Sequence, residues 1–422
     1  MEKLPVELLA KVFQNLPRYD LPSVRLISRT FAAEAAPFLF NTISLWIQLK
    51  SLEALTSISE HPRLSKYVKT IAFSPVRFID GDRMICESQV RDNLKIQPGY
   101  LSSHEIHLGQ HMAAYDSYIA GQRYLASESL DVKVLSQALS KLPKFKNLIL
   151  DYQFRSRILI FRNFFGRGRL DRPHMVKMDG DYAFPVLFKA LSNAKVAITA
   201  LTIRDSYEGS FWSDDSSMQL PGFEVVYISP TASYGMVSKA LAETFYPPHN
   251  LGCRAALREL RHFEVDLGNE DSYDNDLGDR TVDSDRKFAN TIRYILKWSS
   301  QIESIRIPQT MLNSLWLMDL FPTEGLANLQ KVHLWEFNTN LSDLLLFFQL
   351  HGRKMKDVRF TSVDLEDANW PTALHHLRSM EFPDLEIFSL FYCSGRIRSH
   401  SLKNVENARE YITGATDFNP LS

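Results

Sequence analysis

Leu329-Gln330-Lys331-Val332-His333-Leu334 and Met355-Lys356-Asp357-Val358-Arg359-Phe360 share one pattern, apolar-x-x-apolar-x-apolar, 26 residues apart. The last two apolar positions alternate with polar ones, as a strand with one buried face requires. Ile302-x-x-Ile305-x-Ile307 and Leu385-x-x-Phe388-x-Leu390 repeat the pattern, so the central residues Ile305, Val332, Val358 and Phe388 lie 27, 26 and 30 positions apart. A chain that is 45% apolar produces such a match by chance at ~0.09 of positions, so the regular spacing, and no single copy, carries the inference. Earlier copies are Phe40-x-x-Ile43-x-Leu45, Val68-x-x-Ile71-x-Phe73, Phe145-x-x-Leu148-x-Leu150, Ile198-x-x-Leu201-x-Ile203, Phe223-x-x-Val226-x-Ile228 and Leu260-x-x-Phe263-x-Val265.

Helix signals fill the intervals. Asn340 is placed to cap a helix over Leu344 to Leu350 that ends near Gly352, and Trp370-Pro371 opens one through Met380. Lys287 to Trp298, Ser238 to Tyr246 and Val132 to Leu142 carry apolar residues at helical spacing. Strand, turn and helix recurring at 26 to 30 residues resembles an irregular leucine-rich repeat. That resemblance implies a solenoid of parallel strands with outer helices, although the asparagine expected after each strand is missing. Longer spacings near residues 77–130 and 153–185 read as insertions, and residues 396–422 as a C-terminal tail.

Working outward to the N-terminus, Leu4-Pro5-Val6-Glu7-Leu8-Leu9 opens a second kind of structure. Pro5 suits a first helical turn, and Glu7 faces the positive end of the helix dipole. Leu8, Leu9, Val12, Phe13 and Leu16 fall on one stripe, and Pro17 stops the run. Asp20 reads as the N-cap of a helix with Pro22 in its first turn, and Arg29 to Ala36 forms a third helix before Pro37. The ordered string L-P-x-E-L-L-x-x-V-F-x-x-L-x-x-x-D-L-x-x-V-R-L-I-S-R-x-F resembles the F-box, and Pro37-Phe38-Leu39-Phe40 resembles its filamentous-fungal variety.

The fold class expected is therefore α/β: a three-helix F-box over 1–45, then an irregular repeat domain over 46–395. The resemblance implies a non-catalytic substrate receptor of a Skp-cullin-F-box ubiquitin ligase. A Skp-type adaptor, and through it a cullin, would bind the N-terminal module, and a protein substrate would bind the repeats. It places Leu4, Pro5, Leu8, Leu9, Val12, Leu16, Leu21, Val24, Ile27 and Ser28 where family members press against the adaptor or order that surface. Aspartate at Leu8 or Leu9 is expected to abolish adaptor capture and leave the repeats folded. A module of about 45 residues is marginal without a partner, which supports the same expectation physically. A scaffold without ubiquitin transfer and an enzyme sited in the 77–185 insertions are the alternatives.

Composition narrows the compartment. Forty-eight basic and 49 acidic residues give a net charge of -1, so bulk attraction to nucleic acid or anionic membrane is not expected. Cys86, Cys253 and Cys393 are odd in number and far apart, which fits a reducing cytoplasmic or nuclear compartment. The longest apolar run, Leu344 to Phe348, is five residues and cannot span a bilayer. Arg155, Arg157, Arg162, Arg167, Arg169 and Arg172, interleaved with Phe161, Phe164 and Phe165, form a solvated edge, a grip for an acidic partner or, last in order, a contact for nucleic acid. Glu264 to Asp285 holds nine acids against Arg280 and lacks EF-hand spacing, so a solvated connector is expected. His104, His107 and His111 miss the zinc-protease spacing, and Gly109 weakens a helix there. Neither a metal nor a cofactor is expected.

Overall fold

The computed structural model describes residues 4–17, 20–78, 80, 81, 83, 87, 101–151, 176–204, 251–266, 282–307, 316–335, 337–395 and 408–421. They fall into two compact units, within 1–196 and 197–422. Among them no helix is long and apolar enough to cross a membrane.

The first unit opens with helices α1 (Val6–Asn15), α2 (Leu21–Val24) and α3 (Arg29–Leu39). β1 (Thr42–Trp46), α4 (Leu49–Glu60), β2 (Thr70–Ser74) and β3 (Val76–Phe78) follow. Then come α5 (Leu101–Ala126), α6 (Leu130–Ser140), β4 (Asn147–Asp151), β5 (Val176–Met178) and α7 (Gly180–Asn193). β1, β2 and β4 pair in parallel, aligning Ile43 with Ile71 and Leu148, and Leu45 with Phe73 and Leu150. These are the alternating apolar positions of the repeated pattern; they turn to one side, and all but half-buried Ile43 are buried in the core.

β3 pairs antiparallel with β5 and is held on two further sides. The Gln122 side chain accepts from Phe78 N at 2.8 Å and donates to Phe78 O at 3.0 Å, so the amide stands in for a neighbouring strand. Arg77 lies 3.1 Å from Asp179 and 3.8 Å over the Tyr182 ring, whose hydroxyl donates to buried Asp131. Burial, then the bond to Asp131, pushes the Tyr182 phenol well above its ordinary range.

The second unit repeats a simpler plan: β6 (Ala200–Arg204), α8 (Leu251–Leu257), β7 (His262–Asp266), α9 (Val282–Trp298), β8 (Ser304–Ile307), α10 (Leu317–Leu320), β9 (Lys331–Trp335). It continues with β10 (Asn338–Thr339), α11 (Leu341–His351), β11 (Asp357–Thr361), β12 (Asp364–Leu365), α12 (Trp370–Arg378), β13 (Ile387–Phe391), β14 (Ser394–Gly395) and α13 (Ala408–Ile412). β6, β7, β8, β9, β11 and β13 lie side by side and parallel, aligning Leu201, Phe263, Ile305, Val332, Val358 and Phe388. β10, β12 and β14 make a second, three-stranded parallel sheet.

The pattern extends further than the sequence reading took it. Three residues past the last apolar position of each late strand stand Phe337, Val363 and Cys393, all buried. Phe337 packs edge-on against Phe360, and the Cys393 thiol reaches the carbonyls of Phe360 and Phe391 at 3.5 Å. These positions are apolar or sulfur-bearing and buried, with no asparagine among them. Ser362 and Tyr392, each one residue past its strand, both adopt a φ of 52°, a repeated left-handed turn into the small sheet. A Cβ on Gly395 would lie 2.9 Å from the Ala368 carbonyl, so the last short strand ends on the one residue that fits.

Several expectations change. α3 runs through Pro37 to Leu39, because the missing N–H lies in the last turn and costs a single bond. Asp20 makes no side-chain cap. Gly109 sits inside α5, where burial of Met112, Tyr115, Ile119 and Leu125 offsets its penalty of about 1 kcal/mol. The helix opened by Trp370 stops at Arg378 instead of Met380. α7 begins at Gly180 and buries Phe184, Leu187, Phe188 and Leu191, so residues 180–185 belong to a core helix and not to an insertion. Within the expected C-terminal tail, residues 408–421 pack on the fold: Ala408, Tyr411 and Ile412 are buried, and Arg409 donates to the Leu385 carbonyl at 2.8 Å. The Phe223 copy of the pattern and the Ser238–Tyr246 helix lie outside the described residues.

His351, in the last turn of α11, accepts from Leu326 N at 2.9 Å through Nδ1 and packs against Phe321 and Phe347. Burial pushes its pKa down to about 4 from an ordinary 6.5. The unfolded chain therefore binds a proton between these values that the folded chain refuses, and stability falls as pH drops from 6.5 towards about 4. Thermal unfolding of His351→Gln should show a shallower acid slope than wild type over that window; identical slopes would remove His351 as the cause.

Candidate functional site

The first three helices build a small core from Leu9, Phe13, Leu21, Phe31 and Ala35, with Leu16, Val24, Phe38 and Leu39 packed around it. Phe13 and Phe31 meet edge to face, 5.5 Å between centroids. Residues four apart on a helix share a face, so Leu9 and Phe13 of α1 point inward together. Leu8 and Val12, each one position earlier, are turned about 100° from them and stay outside.

Further apolar side chains remain open. Leu4, Val6, Leu8 and Val12 are exposed along α1 and its entry, while Leu26 and Ile27 are exposed in the turn after α2, Leu26 at 88%. The turn is held rigidly: Leu26 N donates to Ser23 O at 3.1 Å and Ile27 N to Val24 O at 3.2 Å. Ser28 then caps α3 by accepting from Phe31 N at 3.2 Å. The Arg25 guanidinium lies 5.1 Å over the Phe40 ring and ties this turn to the far end of α3.

The ten positions read from the sequence therefore divide by role. Leu4, Pro5, Leu8, Val12 and Ile27 are outward, and Leu9 and Leu21 are buried in the module's own core. Leu16, Val24 and Ser28 are half-buried and order the turn between. Leu8 and Leu9, treated alike in the sequence, do opposite work. Val6 and Leu26 were missed; the readable signal was two consecutive apolar residues, Leu26-Ile27, in a stretch too short to form a further helix.

Other sequence-derived positions do not add to this face. Arg155, Arg157, Arg162, Arg167, Arg169 and Arg172 lie outside the described residues, as does most of the Glu264 to Asp285 acidic stretch. His104, His107 and His111 fall on the backbone of α5. Cys253 and Cys393 are buried, and burial pushes both thiols up to about 12, which leaves them unreactive at neutral pH.

The F-box domain family model matches residues 1–33, the stretch that contains all ten positions and both exposed segments. No curated protein matches the chain.

Leu9→Asp should place an unpaired charge in the five-residue core and destabilise the N-terminal helices by roughly 3 kcal/mol or more. Leu8→Asp, on a side chain that is 45% exposed, should change stability by less than about 0.5 kcal/mol. Hydrogen exchange of the amides of α1 and α3 separates the two; equal loss of protection in both variants would contradict the inward and outward assignment.

Proposed function

We propose that this chain is the substrate-recognition subunit of a Skp-cullin-F-box ubiquitin ligase. The reading is supported above all by the apolar side chains Leu4, Val6, Leu8, Val12, Leu26 and Ile27, which stay exposed after the F-box core has closed. Covering one leucine contributes ~1.5 to 3 kcal/mol gross. Five or six such anchors outweigh association costs of about 4 to 15 kcal/mol at the lower end of that range. A Skp-type adaptor is the partner an F-box calls for, and it would bring the cullin and the ubiquitin-charged enzyme.

The region beyond residue 45 is, in this reading, a degenerate leucine-rich repeat of the kind found beside filamentous-fungal F-boxes. Its parallel strands and repeated left-handed turns support the assignment. The repeats hold a protein substrate, and the chain acts by proximity, raising the concentration of substrate lysines near the charged enzyme.

The test is affinity capture of wild type beside Leu8→Asp/Ile27→Asp under proteasome inhibition. The double variant should lose adaptor and cullin and retain substrates. Unchanged adaptor capture would overturn the assignment. Captured proteins should acquire ubiquitin in a reconstituted neddylated assembly; none doing so would leave a scaffold instead.

A further inference from the structure

The outward face of the second unit's sheet carries a connected row of charged and aromatic side chains across four successive strands. In-register pairing sets Glu264 of β7 beside Arg306 of β8, Arg306 beside His333 of β9, and His333 beside Arg359 of β11. Each alternates with the inward apolar residues of its strand and so projects from the opposite face. Arg306 Nη1 lies 3.3 Å from Glu264 Oε1, and its guanidinium sits 5.5 Å from the Trp335 ring centroid. Arg359 donates Nε and Nη2 to the two oxygens of Asp357 at 2.8 and 3.1 Å. His333 Nε2 is 3.3 Å from Asp357 Oδ2, and its ring meets Trp335 edge-on.

Exposure orders these charges in depth. The Arg306 side chain is 51% exposed over a Glu264 that is 35% exposed, and Arg359 is 41% exposed over an Asp357 at 13%. The carboxylates lie beneath and the guanidiniums on top, with exposed Lys331 on the strand between. Burial holds His333 below its ordinary value against the pull of Asp357, with Arg359 and Arg306 reinforcing the drop, so it adds little charge at neutral pH. The row pairs two guanidiniums with two carboxylates and has Lys331 in excess, with the cations the more exposed members of each pair. Guanidinium forks fixed from below keep donors over for a second carboxylate and lose little freedom when they bind it.

Spacing adds a length. Arg306 and Arg359 stand two strands apart, about 10 Å. An extended segment of polyproline-II form places residues i and i+3 on one side about 9 Å apart. Trp335 lies between the two arginines' strands and offers an apolar surface, with Thr361 and Phe391 in the same row.

We propose that this row is the docking surface for an acidic extended segment of a protein partner, with carboxylates three residues apart on Arg306 and Arg359 and an intervening apolar side chain on Trp335. It rests on the reading of the repeats as the substrate-holding part. The probe is a fluorescein-labelled Ser-Glu-Leu-Ser-Glu-Ser peptide, compared by anisotropy with its Gln-for-Glu counterpart and with oligothymidylate, on the full chain. The Glu peptide should bind at least about tenfold tighter than the Gln peptide and weaken with salt. R306Q/R359Q should abolish that difference while adaptor capture stays intact. Equal binding of the two peptides, no binding of the Glu peptide, or preference for the oligonucleotide would overturn the proposal. The wild-type comparison decides even where the double variant misfolds, and a failure of the receptor reading shows separately, as lost adaptor capture.

Discussion

Parallel strands in register impose one constraint on which most of this structure depends: residues two apart face the same way, and neighbouring strands stack like positions. In the second unit the inward rung runs Leu201, Phe263, Ile305, Val332, Val358, Phe388, and each interior member is flanked by two others. A slip of one residue in β9 would turn His333 inward and put Val332 and Leu334 in water. The alternation that closes the core is therefore the same alternation that gathers Glu264, Arg306, His333 and Arg359 into one outward row. Core and surface chemistry are set together.

The N-terminal module obeys a different limit. Three short helices have room for five core side chains, yet their sequence carries at least eleven apolar residues at helix and turn positions. What the core cannot take remains exposed on α1 and in the Leu26-Ile27 turn. A monomer gains nothing from leaving so many large apolar side chains in water. The Ser28 cap and the hydrogen-bonded turn hold Ile27 in place.

Much of this was legible in the residues. Nine of the ten apolar-x-x-apolar-x-apolar copies coincide with described parallel strands, because period-two alternation is a local property. Asn340 was readable as a cap, and its side chain accepts from Asp343 N at 2.6 Å. Leu8 and Leu9 could not be told apart, since both fit one broad helical stripe and only the approach of Phe31 and Ala35 decides which is buried. Gly109 misled for the same reason: local propensity is weak beside the packing of one long helix. The Arg306 to Arg359 row was invisible because it exists only through pairing between strands about 27 residues apart.

The central claim, that the open face of the first two helices is completed by a foreign chain, is tested most directly by hydrogen–deuterium exchange of the whole protein with and without purified Skp-type adaptor. Amides from Leu4 to Val12 and around Leu26 and Ile27 should exchange more slowly in the complex, while the strands β6 to β13 keep their rates. Unaltered exchange in those two segments, or slowing confined to the sheet, would contradict it.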